Sequence, residues 1–237
     1  MQYPLRRMTD TPSTPTPDTT RRRNWIEKLL VGAALTLLLG GGFVFLELRS
    51  VELALDTYHM ETWLDQFVPF SPIWIWPYLT YFGLCFLPIV LCGPQDRFRR
   101  IALSYVLVYM PCLLCFVLLP TKMIRPELVG DGPTMDAMRW LYEIDPGYSI
   151  FPSLHVANAV LVAWIFQRCA PRWAPLLWIE AALITASTVL VRQHYLVDLP
   201  AGFALATVAY LISFRGAAEP VTEGKLEAVP EPVIATD

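Results

Sequence analysis

Six stretches of this chain are apolar over lengths that approach what a lipid bilayer demands: 28–47, 73–92, 101–120, 155–170, 173–191 and 196–214. A hydrocarbon core of about 30 Å takes roughly 20 residues of α-helix to cross. No water is present there to satisfy a backbone N–H or C=O, so a spanning segment must close its hydrogen bonds internally, as a helix does. The fourth stretch reaches that length only if it begins near Ser153. Removing the six leaves no segment for a soluble domain, and the expected fold is an all-α integral membrane six-helix bundle. Composition agrees: 55% of the 237 residues are hydrophobic and the mean hydropathy is +0.44, too apolar for an ordinary soluble domain. A net charge of −3 with no basic stripe gives no sign of a nucleic-acid partner.

The flanks read differently. Residues 1–27 carry the run Thr11-Pro12-Ser13-Thr14-Pro15-Thr16-Pro17 and are expected to be a disordered cytoplasmic tail. Arg21, Arg22, Arg23 and Lys28 then lead into a long apolar run with no convincing cleavage site, read as a retained first span rather than a signal peptide. Residues 28–64 are expected to hold that span and an outer loop, 65–215 the main membrane domain, and 216–237 a second disordered, acidic tail. Prolines 88, 111 and 200 lie within or near the ends of spans and are expected to kink them locally. The five cysteines form no secreted framework, and Cys112-x-x-Cys115 inside an apolar run reads as packing.

Loop charge orients the bundle. Arg21–Lys28, then Arg97, Arg99 and Arg100, then Arg168 and Arg172, then Arg215 all fall on one side if there are six crossings. The positive-inside rule makes that side cytoplasmic, with both termini there. The first opposite loop is acidic (Glu52, Asp56, Glu61, Asp65). His155 opens the fourth span and His194 precedes the sixth, so both are expected at the outer face with Lys122 and Arg125.

Those residue types suit phosphoryl transfer. His194 and Asp198 are four apart and share a helix face. The carboxylate can fix one ring nitrogen as N–H, which frees the other to attack an electrophile. His155 is then a candidate general acid. Lys122, Arg125 and Arg192 are candidate phosphate donors. Ser153 is either the cap of the fourth helix or a phosphate contact. A metal site from the same His and Asp groups is the weaker reading, because cations crowd that face.

These segments resemble the type 2 phosphatidic acid phosphatase (PAP2) superfamily. The matching motifs are Lys122 with Arg125-Pro126, Pro152-Ser153-Leu154-His155, and Ser187-Thr188 followed by His194-x-x-x-Asp198. The resemblance covers roughly residues 65–215. It implies that His194 is a nucleophile forming phosphohistidine, that Asp198 orients it and that His155 assists the leaving group, without metal or other cofactor. Three positions depart from the pattern. Leu154 stands for glycine, Thr188 for the third-motif arginine, and Lys122 is only three residues before Arg125. Pro-Ser-Leu-His, His-Tyr-x-x-Asp and the segment Asp65…Pro69-Phe70…Pro77-Tyr78 are similar to the inositol phosphorylceramide synthase-like branch. In that comparison Arg192 is the candidate replacement for the missing arginine.

The resemblance implies a lipid phosphate substrate, a bilayer setting and, by family analogy, a bacterial inner or plasma membrane. Phosphatase action is the preferred activity. Transfer of a phosphorylated head group to an alcohol is the first alternative, and a non-catalytic scaffold or lipid carrier the second. Oligomeric state is not readable. His59 reads as a solvated loop residue, the stretch Tyr58–Phe70 as amphipathic, and Glu180 as an isolated intramembrane charge whose partner the sequence does not name.

Overall fold

The structure, a computed structural model, describes residues 26, 28–52, 57–91 and 95–216. Both expected disordered tails lie outside the described residues, apart from Ile26 and Gly216. Within them the architecture is helical: α1 (Lys28–Glu52), α2 (Ile75–Leu84), α3 (Gln95–Leu118), α4 (Pro133–Ile144), α5 (Leu154–Cys169), α6 (Ala174–Leu190) and α7 (Asp198–Phe214). Helix α5 is the hub. It packs on α6 and α7 and, less extensively, on α3, while α7 also packs on α3 and α2 on α6. Twelve of its residues, from Leu154 to Phe166, are buried, and they anchor a core that takes in Ile101, Tyr105 and Val108 of α3, Leu177 and Ile184 of α6, and Ala206 and Ala209 of α7.

The six-span expectation needs correcting in three places. Among the described residues, only α1, Arg97–Leu118 and Pro171–Leu190 are long and apolar enough to cross a membrane by length and composition; Leu154–Cys169 and Asp198–Phe214 are shorter. At about 1.5 Å per residue, a helix of 16 or 17 residues falls a few ångströms short of a core of about 30 Å. The second stretch is broken: α2 stops at Leu84 and a separate turn of helix spans Leu87–Leu91. Pro88 explains the break, since its ring would clash with the carbonyl of Leu84 four residues back. Pro111 is carried inside α3, and Pro200 sits in the first turn of α7, where a missing N–H costs nothing.

The third difference is α4, read from sequence as loop. Gly132 at φ 106° turns the chain, Pro133 starts the helix, and Met138 and Leu141 bury one face. Together with Ile75, Tyr78 and Val191 these form a small second core at one end of the bundle.

At that end the connections knit together. The N–H of Tyr58 donates to Pro120 O (2.8 Å), that of Met123 to Gly147 O (2.8 Å), that of Ser149 to Thr121 O (3.1 Å), and that of Ser71 to Leu190 O (2.9 Å). The stretch 58–70 forms turns rather than an α-helix, including a single turn at Asp65–Phe67, and exposes Trp63 and Phe67.

Candidate active site

Local backbone chemistry places the two histidines. Ser153 caps α5: its Oγ accepts from the Val156 N–H at 3.2 Å, and His155 follows as the second helical residue. The capping alternative for Ser153 is therefore the one the structure displays. His194 follows the end of α6, which closes by a Schellman arrangement. The Gln193 N–H reaches back to Thr188 O (2.8 Å), and the Arg192 N–H to Val189 O (3.2 Å). Thr188, at the family's arginine position, contributes that carbonyl, while its hydroxyl donates to Thr185 O at 2.8 Å.

A close approach then brings the helices into register. Gly202 of α7 lies against the start of α5 so tightly that a Cβ there would stand 2.6 Å from Ser153 O. Only glycine fits such a crossing. It sets Asp198 and His194 beside His155.

The result is a continuous line of polar contacts. Asp198 Oδ2 lies 3.1 Å from His194 Nδ1 and also accepts from the Tyr195 N–H at 2.9 Å. His194 Nε2 lies 3.1 Å from His155 Nδ1. His155 Nε2 lies 2.6 Å from the Tyr78 hydroxyl. All four side chains are buried, Asp198 and Tyr78 completely. A carboxylate at the first turn of α7 is also favoured by the helix dipole.

The candidate phosphate ligands divide. Arg125 is drawn into a clamp. It donates to Asp145 O, to Asp145 Oδ1 (3.1 Å) and to Gln193 Oε1 (2.6 Å), and it lies over the Tyr142 ring at 4.3 Å. Its Nε is buried and, among the described residues, has no acceptor. The clamp ties α4 to the residue before His194. Burial pushes the Tyr142 hydroxyl up to about 12, so it remains a phenol and donates to Val191 O at 2.9 Å. Lys122 donates to the Tyr148 hydroxyl at 3.0 Å. Tyr148 in turn lines a narrow recess with His155, His194, Gln193 and Asp145.

Arg192 points elsewhere. It takes a left-handed φ of 55° at the helix terminus, where glycine is usual. That turn sends its guanidinium to Val68 O (2.7 Å) and Asp65 O (3.4 Å). The structure thus gives Arg192 the carbonyls of Asp65 and Val68 as partners, rather than a place beside the histidines.

Four residues of the site were not singled out for a role from sequence: Tyr78, Asp145, Gln193 and Asp65. Asp65 is 2% exposed. One of its oxygens accepts from the Thr62 N–H and hydroxyl (2.7 and 2.6 Å), the other from the Leu196 N–H (2.7 Å), which pins the loop onto the turn bearing His194. The segment Asp65…Tyr78, similar to the synthase-like branch, was the signal that contained two of them.

Beside His155 a cavity of about 500 Å³ opens between α1, α2, α3 and α4, lined by Leu35, Phe43, Tyr81, Phe86, Leu141 and Ile144 among others. Phe43, Asp145, Leu154 and His155 border both this cavity and the narrow recess. Glu180, left unpartnered by sequence, hydrogen-bonds Thr80 of α2 in a separate groove.

The fold and the site together define a helical, membrane-type protein in which two buried histidines and a carboxylate gather at one end of the bundle. The family model of the PAP2 superfamily matches residues 50–212, more than half of the chain, and the chain belongs to that superfamily. Its members are phosphatases and phosphotransferases acting on phosphorylated substrates. The match is to the superfamily and does not single out the synthase-like branch. Neither a curated protein nor a solved structure matches the chain.

Proposed function

We propose that this protein cleaves the phosphoester of a membrane lipid through a phosphohistidine on His194. The observation that carries the reading is the buried Asp198–His194–His155 line. Asp198 accepts from Nδ1–H of His194 and so leaves Nε2 with a lone pair. That nitrogen attacks phosphorus. The ester bond breaks, its electron pair stays on the leaving oxygen, and His155 in its imidazolium form supplies the proton. In the second step His155 takes a proton from water, the hydroxyl adds to phosphorus, and the N–P bond returns its pair to His194. An alcohol in place of water gives head-group transfer by the same two steps.

In the structure the two rings are in hydrogen-bond contact at 3.1 Å, so an entering phosphoryl group replaces that bond. The unpartnered Nε of Arg125 and the Lys122–Tyr148 pair are the donors nearest in the fold to receive its oxygens. The apolar cavity supports a lipid as substrate: a chain seated there brings its ester oxygen to His155, on the border with the recess. The arginine distribution supports placing this end at the outer face.

The test is purified protein in detergent with a panel of ³²P-labelled lipid phosphates, with and without inositol. Label released to water, acid-labile label trapped on protein, and loss of both in His194→Ala are the expected results. Label appearing on the alcohol makes the protein a phosphotransferase. Turnover that survives His194→Ala overturns the mechanism.

A further inference from the structure

The Tyr78 hydroxyl is 2.6 Å from His155 Nε2 and completely buried. The residue comes from α2, 77 positions before its partner. Its ring also lies against the imidazole, with centroids 4.8 Å apart, and Tyr81 packs on the same imidazole at 4.3 Å. We propose that Tyr78 is the positioning residue for His155, acting on it as Asp198 acts on His194. The proposal rests on the phosphohistidine reading above.

Counting hydrogens along the line gives the argument. Asp198 is an acceptor, so the His194 Nδ1 carries hydrogen and Nε2 does not. With His194 neutral, the contact between the rings needs its hydrogen on His155 Nδ1. His155 Nε2 is then bare, and Tyr78 O–H donates to it. Each histidine therefore has one nitrogen held by a fixed neighbour and the other turned toward the space where phosphorus must enter.

The type of neighbour matters as much as its place. During turnover His155 alternates between imidazolium and neutral imidazole, with Nδ1 giving and taking the proton. In both of those states Nε2 carries hydrogen, and the phenol oxygen accepts from it once its own hydrogen turns away. A hydroxyl serves as donor and as acceptor. A carboxylate at this position would hold the ring charged and weaken it as a base in the second step. A phenylalanine would leave Nε2 buried without a partner in every protonation state, which favours rotation of the ring out of line.

Tyr78→Phe tests this with two substrates. On an alkyl phosphate the leaving alkoxide needs a proton, and kcat is expected to fall about 10- to 100-fold, less than the ~10²–10⁴-fold worth of a general acid itself, with KM within about 3-fold. On an aryl phosphate the phenolate leaves without that proton. Formation of phosphohistidine then keeps its rate within about 3-fold, while its hydrolysis, which needs His155 as base, slows, and labelled enzyme accumulates. Equal loss in both first steps, or no loss in either, overturns the proposal and leaves Tyr78 a packing residue.

A readout without turnover separates this from failure of the phosphohistidine reading. ¹⁵N shifts of the two site histidines in micelles report the tautomer directly. The substitution is expected to move the His155 Nε2 signal toward that of a bare nitrogen without a donor, and to leave the Asp198-bound His194 Nδ1 unchanged. An unchanged His155 spectrum in folded Tyr78→Phe protein sinks the proposal. Should that variant not fold, 3-fluorotyrosine at 78 preserves shape while making the hydroxyl more acidic; an unmoved His155 signal there is equally fatal.

Discussion

Helices α1 and α5 are both apolar, and they could hardly be used more differently. In α5 nearly every residue from Leu154 to Phe166 is buried. In α1 the side chains of Leu29, Leu37, Leu38, Phe45 and Leu48 are each 63% or more exposed. Hydropathy cannot tell them apart, because lipid tails are as apolar as leucine. Small residues can. Helix α5 offers Ala157, Ala159 and Ala163, and α7 answers with Gly202, Ala206 and Ala209, so the backbones close up as small-residue interfaces in membranes do. Helix α1 touches the rest mainly through α3. The site histidines and carboxylate sit at the tight pair, and the loose helix supplies one wall of the cavity. If that contrast is functional, changes near α5 and α7 act on rate, while changes in α1 act on which chain is accepted.

The largest effect is expected at the tight end. On the proposed mechanism His194→Ala removes the attacking nitrogen and should cut turnover at least ~10³-fold, as loss of a nucleophile does, with no label trapped on the protein. Asp198→Asn keeps the shape but lets the amide donate, which favours the wrong tautomer of His194. A loss of about 10²- to 10⁴-fold in kcat with an unaltered fold is expected. A normal rate in the Asp198→Asn variant would detach the carboxylate from the chemistry.

Next comes the crossing itself. Gly202→Ala places a methyl 2.6 Å from Ser153 O and 3.2 Å from the Val156 Cβ. Since the obstacle is backbone, the helices must part. Overpacking of this kind costs about 1–3 kcal/mol, measured as a lower unfolding midpoint in detergent. Because the same contact sets His155 against His194, kcat should fall too, with KM little changed. Stability lost without any change in rate would break the link between tight packing and catalysis.

Arg192 marks the edge of what a one-dimensional reading can see. His194 and Asp198 were legible as a pair but not as one helix face: His194 lies in the connection ahead of α7, whose first residue is Asp198, and the two meet at 3.1 Å across that turn. Ser153 was legible as a cap. Arg192 is two residues from His194, yet the left-handed turn at its own φ sends the guanidinium to Asp65 and Val68. Tyr78 reaches His155 only through tertiary packing of α2. Helix α4 escaped because 12 residues cannot cross a bilayer, although Pro133 followed by Met138 and Leu141 carried its start and its buried face. A stretch that needs to begin near Ser153 signals the shortness of α5, and Pro88 predicts a kink in the second stretch; what an apolar window does not record is that the helix ends outright at Leu84.

Arg192→Ala follows in size. Two hydrogen bonds from a charged donor are lost, at about 1.5–3 kcal/mol each at most, so the connection at Asp65–Val68 loosens and the unfolding midpoint drops. KM for the phosphate substrate is expected to change by less than about 3-fold. A tenfold rise in KM with stability intact would return Arg192 to the list of phosphate ligands and reverse the assignment argued from its turn.

The smallest effect is expected at the loose helix. Gly40 lines the cavity, and nothing lies within 4 Å of where its Cβ would stand. It closes a π-helical turn, Thr36–Gly40, a widened geometry often found at functional sites. Gly40→Leu puts apolar bulk into space without striking the backbone of another helix, so the unfolding midpoint should hold, and glycine's conformational cost inside a helix is relieved. What it removes is room. A lipid phosphate with a long chain should show a KM raised several-fold, while a short, water-soluble phosphoester, whose chain never enters, should show none of that rise, and kcat should be preserved for both. Equal effects on both substrates would mean that α1 shapes the reactive end after all. No effect on either would mean the chain lies outside this cavity, and the separation of roles between the tight and loose helices would lose its functional half.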